Sequence, residues 1–379
     1  MKLVHISDTH LGFSEYHKVD SESGLNQREQ DFYRSWQTAI EQILSLKPDV
    51  VVHAGDLFHT PRPSNRAIHT AMQSIQQLND AEIPVILTAG NHETPRIRLT
   101  GSIFEPLNLF PHVYAAYSSR YERFRLGDTD FHCLPHCSLS EDLKQAIQDI
   151  EIRPQAAANI LIAHGAWAGK RRYGMGEFNE QIIPDIETLR GLQFDYTALG
   201  HYHRHLRVKD HTFYCGSTER TSLNEHQAEC GFLAVDIDKA TYDFQPLPTR
   251  SMRKFSPLDC SGLTSTRIYQ ELETLAESDI KDAIVQINLT QIEHDAFVKL
   301  DMRQIDELFK SAFVLEKQMS KKQQNGTSAG ETRIESLPVE FERYLQQHTS
   351  GEFNADRLCR LGGEYLDAVE QATENPEQP

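Results

Sequence analysis

The sequence lacks any long apolar run, and this absence excludes a membrane-spanning helix from the expected architecture. No stretch of about 18 consecutive apolar residues occurs in the chain of 379 residues. The first residues enter a strand pattern directly, without the apolar segment of a secretory signal peptide. Both features favour a cytoplasmic protein with no membrane association.

Cysteine is scarce, and its spacing excludes a disulfide framework. The six cysteines are scattered along the chain and form no Cys-x-x-Cys pair. Cys133 and Cys137 are too isolated to indicate a zinc site. This usage is typical of reduced, structural thiols in a reducing compartment.

Positive charge is also in short supply. The chain has 38 Lys and Arg residues against 55 Asp and Glu residues, so its formal net charge is −17. A generic nucleic-acid-binding protein usually carries a basic excess, and the composition argues against that class. A dinuclear metal site nevertheless supplies local positive charge that a residue count omits, so a metal-dependent nuclease remains compatible with the composition.

Apolar strand patterns alternate with amphipathic helix patterns in the first part of the chain. Strands are predicted near Leu3–Ile6, over Asp49–His53 and over Pro84–Thr88, and helices over Glu29–Lys47 and from the N-cap Ser64 to Leu78. A polar motif follows each strand, where functional groups of open α/β sheets usually lie. Further strands fill the second half. The sequence therefore predicts an α/β fold with two sheets packed face to face and helices outside.

Changes in pattern divide the chain into five predicted segments. They are a main α/β domain over 1–250, a small α/β domain over 251–318, a linker over 319–332, two short amphipathic helices within 333–372 and a disordered tail over 373–379. Helices this short are not stable alone, so those in 333–372 need a partner surface.

Five segments share one pattern, in which an apolar strand ends and potential metal ligands follow. The side chains concerned are Asp8, His10, Asp56, Asn91, His92, His164, His201 and His203. Glycines beside them permit a sharp turn and a close approach of the backbone. Without His92, the set offers two carboxylates, one amide oxygen and four imidazoles, too many for one ion with open positions. It suits two ions, about 3.5–4 Å apart, that share a bridging carboxylate.

Each segment taken alone is more often structural than functional. A lone histidine is usually a hydrogen-bonded core residue, and Gly-Asp at a strand end is usually a turn. The repetition of the pattern behind five buried strands is what favours a functional site. Four other histidines lack the pattern and are predicted to be structural: His5, His53, His69 and His132.

The ordered motifs resemble those of the calcineurin-like metallophosphoesterase superfamily. More narrowly, residues Ile6–Gly12, Ala54–His59 and Cys215–Arg220 resemble the SbcD and meiotic-recombination-eleven family of DNA repair nucleases. The resemblance covers residues 1–255 strongly, and the later part matches only in layout. It implies a two-sheet sandwich flanked by helices, with 251–318 as a DNA-capping domain and 333–372 as a partner-docking segment.

The resemblance also implies two manganese ions and a distribution of their ligands. Asp8, His10 and His203 would bind the first ion. Asn91, His164 and His201 would bind the second, and Asp56 would bridge the two.

Four further side chains receive roles from the same resemblance. His92 matches the catalytic histidine, which protonates the leaving group or stabilises the transition state, a task suited to a side chain that titrates near neutrality. Glu93 stands where the family usually has aspartate and is expected to orient His92. His59 matches a second histidine near the substrate phosphate. His17 stands where the family often has a histidine, and it is a possible DNA contact.

The expected function is manganese-dependent DNA cleavage, as an exonuclease on duplex DNA and an endonuclease on single strands. Basic side chains near the motifs could hold DNA phosphates, although each alone is more often a solvated surface charge: Arg62, Arg66, Arg96, Arg98, Lys170, Arg171 and Arg172. The resemblance implies an SbcC-type coiled-coil ATPase bound to the C-terminal helices and a homodimer formed through the Ser64–Leu78 region. Such an ATPase would supply DNA affinity that an acidic chain lacks.

Two alternative functions remain open at this stage. The first is a stand-alone metal-dependent phosphodiesterase acting on nucleotides, with the C-terminal helices merely structural. A comparison of cleavage of linear duplex DNA with that of cyclic nucleotides separates it from the repair nuclease. The second is a non-catalytic scaffold for the ATPase, and the presence of every expected ligand argues against it.

Overall fold

The structure is a computed structural model that describes residues 1–95, 101–168 and 181–322, together with Gly362. Residues Met1–Ser320 form one unit, and Lys321–Pro379 form a second. Apart from Gly362, the helices predicted within 333–372 lie outside the described residues, as does the tail 373–379. Within the described residues, every helix is too short or too polar to cross a membrane.

The first sheet grows from the amino-terminal strand. Its elements, in chain order, are β1 (Lys2–Ile6), α1 (Gln27–Leu46), β2 (Val50–His53), α2 (Asn65–Asp80), β3 (Val85–Thr88), α3 (Phe104–Leu107) and β4 (Val113–Ala116). Adjacent strands from β1 to β4 run parallel, so their carboxyl ends meet at one edge. The strands and the two long helices predicted here are confirmed, with small shifts of their ends.

Capping residues and apolar spacing explain the two long helices. The Asn26 side chain accepts hydrogen bonds from the first backbone N–H groups of α1, and Ser64 does the same for α2. In α1, Phe32, Trp36 and Ile40 recur at four-residue steps and are buried on one face. The two helices thus cover the outer face of the first sheet.

The second sheet follows in the chain. Its part of the sequence contains β5 (Glu122–Leu126), β6 (Thr129–Leu134), α4 (Ser140–Gln148), β7 (Ala158–His164), β8 (Ala166–Trp167), β9 (Ile182–Ile183), α5 (Ile186–Arg190), β10 (Tyr196–Gly200), β11 (Leu206–Lys209) and β12 (Thr212–Tyr214). The strand order is β11-β12-β10-β7-β6-β5, and β8 pairs separately with β9. Because β6, β7 and β10 run parallel, their carboxyl ends also share an edge.

Two antiparallel strands, β13 (Gly231–Asp236) and β14 (Thr241–Pro246), return to complete the first sheet in the order β14-β13-β1-β2-β3-β4. Alternate side chains of the central strands face opposite layers. Val50 and Ile160 pack in the core between the two sheets, whereas Val51 and Leu161 face the helices. The predicted two-sheet sandwich with outer helices is confirmed.

A small α/β unit follows the sandwich. It consists of β15 (Met252–Lys254), β16 (Leu258–Asp259), α6 (Ser265–Ala276), β17 (Ile284–Ile292), α7 (His294–Val298), α8 (Met302–Leu308) and β18 (Val314–Lys321). Its strands form their own sheet, with β17 between β15 and β16 and also paired with β18, over a separate apolar core. The last strand continues past residue 318, where the small domain was predicted to end.

A buried ion-pair network joins the sandwich to the small unit. The Arg28 guanidinium is fully buried and lies 2.9 Å from Asp31 and 3.4 Å from Glu219. Arg250 donates to the other oxygen of Asp31 at 2.8 Å, and its guanidinium lies 4.0 Å from the centroid of the Phe313 ring. Helix α1 is thereby tied to the segment that leads into β18.

Candidate metal centre

The candidate ligands lie close together where the carboxyl ends of the parallel strands of both sheets meet. The loops after β1 and β2 pair through their backbones: Asp8 donates its N–H to the Gly55 carbonyl, and His10 donates to the Asp56 carbonyl, both at 3.0 Å. This pairing places the side chains of Asp8, His10 and Asp56 at the same point. The ends of β7 and β10 deliver histidines to it from the opposite sheet.

One group of ligands consists of Asp8, His10 and His203. A ligand atom from each lies within 4.8 Å of the others, and all three side chains are buried. The two Nε2 atoms, of His10 and His203, are 3.0 Å apart. A carboxylate oxygen and two imidazole nitrogens that converge in this way can hold one divalent ion.

A second group surrounds His164. Its Nε2 lies 2.9 Å from the Asn91 Oδ1 and 3.2 Å from the Asp56 Oδ2. The His201 ring lies beside it, with the ring centroids 5.4 Å apart. The same Asp56 Oδ2 is 3.9 Å from the His10 Nε2, so this carboxylate lies between the two groups.

Four of the candidate ligands have a positive φ angle. The φ angles are +53° at Asp8, +44° at His10, +58° at Asp56 and +107° at His201. Such values are uncommon for residues other than glycine, and they persist where the surrounding structure holds them. The paired loops after β1 and β2 hold three of these residues in this conformation.

Two glycines permit the close approach of these loops. A Cβ atom at Gly90 would lie 2.1 Å from the Asp56 Oδ1, and one at Gly55 would lie 2.2 Å from the His164 Nδ1. The close approach expected of the glycines beside the ligands is confirmed at both positions.

Outer partners fix the orientation of the ligands. The Glu225 carboxylate lies 2.8 Å from the His203 Nδ1, and the Ala54 carbonyl lies 2.8 Å from the His164 Nδ1. With Nδ1 engaged, each ring directs Nε2 into the site. The Ser7 hydroxyl donates to the Asp8 carboxylate. The sequence reasoning missed Glu225 and Ser7, since neither belongs to the repeated strand-and-ligand pattern.

Burial and the neighbouring charges set the protonation of the ligands. Burial holds the pKa of His10 well below its ordinary value, so its ring is neutral and able to coordinate an ion. Burial opposes protonation of His164 too, but Asp56 and Asp8 raise its pKa to about 10. Although burial alone would raise the pKa of Asp56, His164 and His10 hold it well below the ordinary range. The site thus contains a carboxylate anion ready to be shared with a cation.

His92 and His59 form a stacked pair at the edge of the site. Their ring centroids are 4.9 Å apart with an interplanar angle of 27°. The His92 Nδ1 donates to the His59 carbonyl at 2.9 Å, and its backbone N–H donates to the Asp56 Oδ1 at 3.0 Å. These bonds hold the ring through its Nδ1 and its backbone N–H.

Glu93 does not orient the His92 ring, contrary to the prediction from sequence. In the described structure its Oε1 accepts hydrogen bonds from the backbone N–H groups of Gly90 and Leu57, at 3.0 and 3.3 Å. Burial, and then the Asp56 carboxylate, raise the pKa of Glu93 to about 8. The carboxyl group turns inward because it satisfies two buried donors there. Its contribution is to hold together the loops that carry Asp56 and His92.

A cavity of about 640 Å³ opens over this cluster. Its lining includes six of the predicted site residues: His10, Asp56, His59, His92, His201 and His203. The exposed side chain of Arg204 and the turn that carries Glu225 line it as well. The sequence reasoning did not select Arg204, which follows directly after the last ligand.

Three of the predicted DNA-contacting residues belong to the described part of the chain, and they lie away from this cavity. His17, Arg62 and Arg66 are exposed and, among the residues described, lie outside its lining. The other predictions of this kind, Arg96, Arg98, Lys170, Arg171 and Arg172, lie outside the described residues.

The histidines predicted to be structural behave as expected. His5 is buried and lies 2.9 Å from the Tyr196 hydroxyl, and His53 lies 3.1 Å from the Thr9 hydroxyl. His132 is buried beside Asn159, and His69 is exposed on α2. None of the four lines the cavity described above.

Comparison with known proteins finds one matching family model and several similar chains. The family model described as calcineurin-like phosphoesterase matches residues 1–205. Three relatives are each described as "DNA double-strand break repair protein Mre11". The protein of Methanocaldococcus jannaschii is 32% identical over 261 residues, covering 65% of each chain. That of Haloferax volcanii is 28% identical over 304 residues, covering 76% of this chain and 61% of its own. That of Halobacterium salinarum is 30% identical over 298 residues, covering 76% and 70%.

The chain spans less than two thirds of the length of the first two relatives. The family model nevertheless matches residues 1–205, and this chain covers 70% of the third relative at 30% identity. The chain belongs to the calcineurin-like phosphoesterase family and, within it, to the Mre11 proteins.

Proposed function

We propose that this chain is a DNA nuclease that hydrolyses phosphodiester bonds with two manganese ions and serves double-strand-break repair. One observation carries the dinuclear part of the proposal. The Asp56 Oδ2 lies 3.2 Å from the His164 Nε2 and 3.9 Å from the His10 Nε2, and a carboxylate in this position could be shared by two ions. The names of the Mre11 relatives support DNA as the substrate.

The donor set fits two ions. Asp8, His10 and His203 would hold the first, Asn91, His164 and His201 the second, and Asp56 would bridge. Mixed oxygen and imidazole ligands suit borderline divalent metals such as manganese. Two such ions would activate a water and stabilise the charge on the attacking and leaving oxygens.

The chain's own residues would perform the remaining chemistry. Because the His92 Nδ1 is held by the His59 carbonyl, the protonated ring can pass its Nε2 proton to the leaving oxygen. The His59 ring supports that position by stacking and can contact the phosphate from the same side. Asp8, which accepts from the His201 N–H at 2.9 Å, links the loops after β1 and β10.

Side chains outside the metal centre would also bind the substrate. We expect exonuclease action on duplex DNA and endonuclease action on single strands, with phosphates contacted by basic side chains around the cavity. Arg204 lines the cavity and joins His17, Arg62 and Arg66 as a candidate contact. The small α/β unit would cap the DNA, and the acidic net charge of −17 favours a partner that adds DNA affinity.

An SbcC-type ATPase docked on residues 333–372 would be that partner. A homodimer formed through the Ser64–Leu78 region would place two such sites in one assembly. Both assignments come from the predicted layout of the sequence, and co-purification of the full chain with a coiled-coil ATPase would test the first. A monomeric mass for the full chain at micromolar concentration, with and without DNA, would contradict the second.

Manganese-dependent cleavage of linear duplex DNA, compared with cleavage of cyclic nucleotides, tests the proposed substrate. We expect cleavage of DNA that stops when the metal is chelated, and little turnover of cyclic nucleotides. Asp56→Asn should abolish cleavage. His112→Ala is the control. His112 precedes β4, at the amino ends of the parallel strands and therefore away from the candidate ligands, so this variant should retain activity. Turnover of cyclic nucleotides with no cleavage of DNA, even with the ATPase present, would contradict the nuclease function. It would favour a stand-alone phosphodiesterase.

A further inference from the structure

A short turn beside the metal centre connects His203 to the small α/β unit. It is the 3-10 turn Leu223–Glu225, which lies between β12 and β13. Thr221 and Glu225 line the same cavity as the candidate ligands, although neither belongs to the ligand set. The turn contacts His203 through Glu225 and the small α/β unit through Leu223.

On one side, the turn holds the His203 ring. The Nδ1–H of His203 donates to the Glu225 Oε1 at 2.8 Å, which leaves Nε2 facing the His10 Nε2 at 3.0 Å. The Glu225 carboxylate is itself held by Thr221, whose hydroxyl donates to Oε1 at 2.9 Å and whose backbone N–H donates to Oε2 at 2.7 Å. Both oxygens of this carboxylate are therefore held by contacts within the chain.

On the other side, the turn is anchored in the small unit. Leu223 is buried and packs in one cluster with Met252, Ile284 and Phe313. Met252 lies on β15, Ile284 lies on β17, and Phe313 precedes β18, so all three belong to the small unit. The exposed Asn224 adds a hydrogen bond from the Lys254 Nζ at 3.4 Å.

We propose that Glu225 is a positioning residue for the ion held by His203, and that the small α/β unit sets its position through Leu223. A carboxylate that accepts from the second nitrogen of a ligating histidine fixes the ring and raises the basicity of the coordinating nitrogen. Because that carboxylate lies on a turn packed against another unit, a displacement of the unit would alter metal binding. The proposal rests on the dinuclear site of the proposed function.

Manganese binding by the full chain tests the role of Glu225 apart from nuclease activity. We would measure bound manganese by mass spectrometry after equilibrium dialysis, and the spin-coupled pair by electron paramagnetic resonance. In Glu225→Ala, the free manganese needed to half-fill one of the two positions should rise about 10- to 100-fold. Glu225→Gln, which still accepts the hydrogen bond but lacks the charge, should lie between Glu225→Ala and the native chain. Glu229→Gln removes the same charge from an exposed neighbour and should bind as the native chain does.

Leu223→Ala tests the anchoring by the small unit. It should weaken manganese binding at the same position while Glu225 remains present. Combined with Glu225→Ala, it should add little to the effect of that substitution alone, since both act through one contact. Fully additive effects would overturn the anchoring.

The outcomes separate this proposal from the proposed function. If the native chain fails to bind two manganese ions, the proposed function fails. If it binds two and Glu225→Ala binds both with native affinity, only the positioning role is overturned. Should Glu225→Ala not fold, as judged by thermal unfolding in a chelator, Glu225→Gln decides: native affinity there overturns the proposal, because loss of the charge should weaken the Nε2 ligand.

Discussion

At the residue scale, the site depends on side chains whose second contact fixes their direction. The His92 Nδ1 is bound to the His59 carbonyl, the His164 Nδ1 to the Ala54 carbonyl and the His203 Nδ1 to Glu225. In the proposed assignment, the Nε2 atoms of His164 and His203 bind ions and that of His92 serves the substrate. The proposed division between ligands and acid follows the positions of the rings. His164 and His203 point into the buried cluster, whereas His92 lies at its partly exposed edge.

His92→Ala should keep metal and DNA binding but lose cleavage. In the proposed assignment the imidazole donates a proton and holds no ion, so its removal should lower the cleavage rate by about 10²- to 10⁴-fold. Manganese stoichiometry, DNA affinity and single-turnover cleavage would be measured on the same preparation. A variant that cleaves DNA at the native rate would remove His92 from the mechanism.

At the element scale, the strand-and-ligand pattern could be predicted because buried parallel strands have a distinctive composition. The run Val50–Val52 faces two cores at once, so it is apolar throughout and easily recognised. The glycine and polar residues that follow mark its end. Seven candidate ligands could be placed together by this reasoning, and the structure brings them together.

Contacts between distant segments could not be predicted in this way. Glu225 lies on a turn with no periodic pattern and meets His203 only through the fold. The inward turn of Glu93 depends on two backbone donors from different loops, which no local pattern reveals.

Helix α1 supplies a prediction on stability. Arg28→Met should lower the free energy of unfolding by about 3–5 kcal/mol, because it leaves the buried carboxylates of Asp31 and Glu219 without this partner. The matched control is Arg34→Met on the same helix. Arg34 contacts Asp31 at 3.6 Å, but its side chain is 70% exposed, so a change below about 1 kcal/mol is expected. Urea unfolding of both variants measures the two changes in the free energy of unfolding. Equal changes would contradict the larger contribution expected of the buried Arg28.

At the scale of the whole molecule, the site exists because two sheets meet with their strand ends aligned. His5 on β1 joins them, since its ring contacts the Tyr196 hydroxyl at 2.9 Å and the Leu199 carbonyl at 3.2 Å on β10. Burial lowers the pKa of His5 to about 3, although the bond to Leu199 opposes this shift. The histidine is therefore neutral in the folded protein over the pH range in which the unfolded chain becomes protonated.

Acid should accordingly destabilise the sandwich through His5. The unfolded chain binds a proton near pH 6.5 and the folded chain only near pH 3, so the stabilisation is complete above 6.5 and is lost as pH falls. The stability advantage of the metal-free native chain over His5→Gln should shrink by about 1.4 kcal/mol per pH unit below pH 6. Urea unfolding at several pH values measures it, with the exposed His69→Gln as the control. A pH-independent difference for His5→Gln would contradict the expectation.

The position of Asp56 between two groups of ligands is tested most directly by anomalous diffraction from crystals grown with manganese. Two anomalous peaks about 3.5–4 Å apart are expected, with the Asp56 carboxylate in contact with both. Asp56→Ala crystals should lose both peaks. A single peak in the native protein, or two peaks that Asp56 does not bridge, would contradict the dinuclear centre.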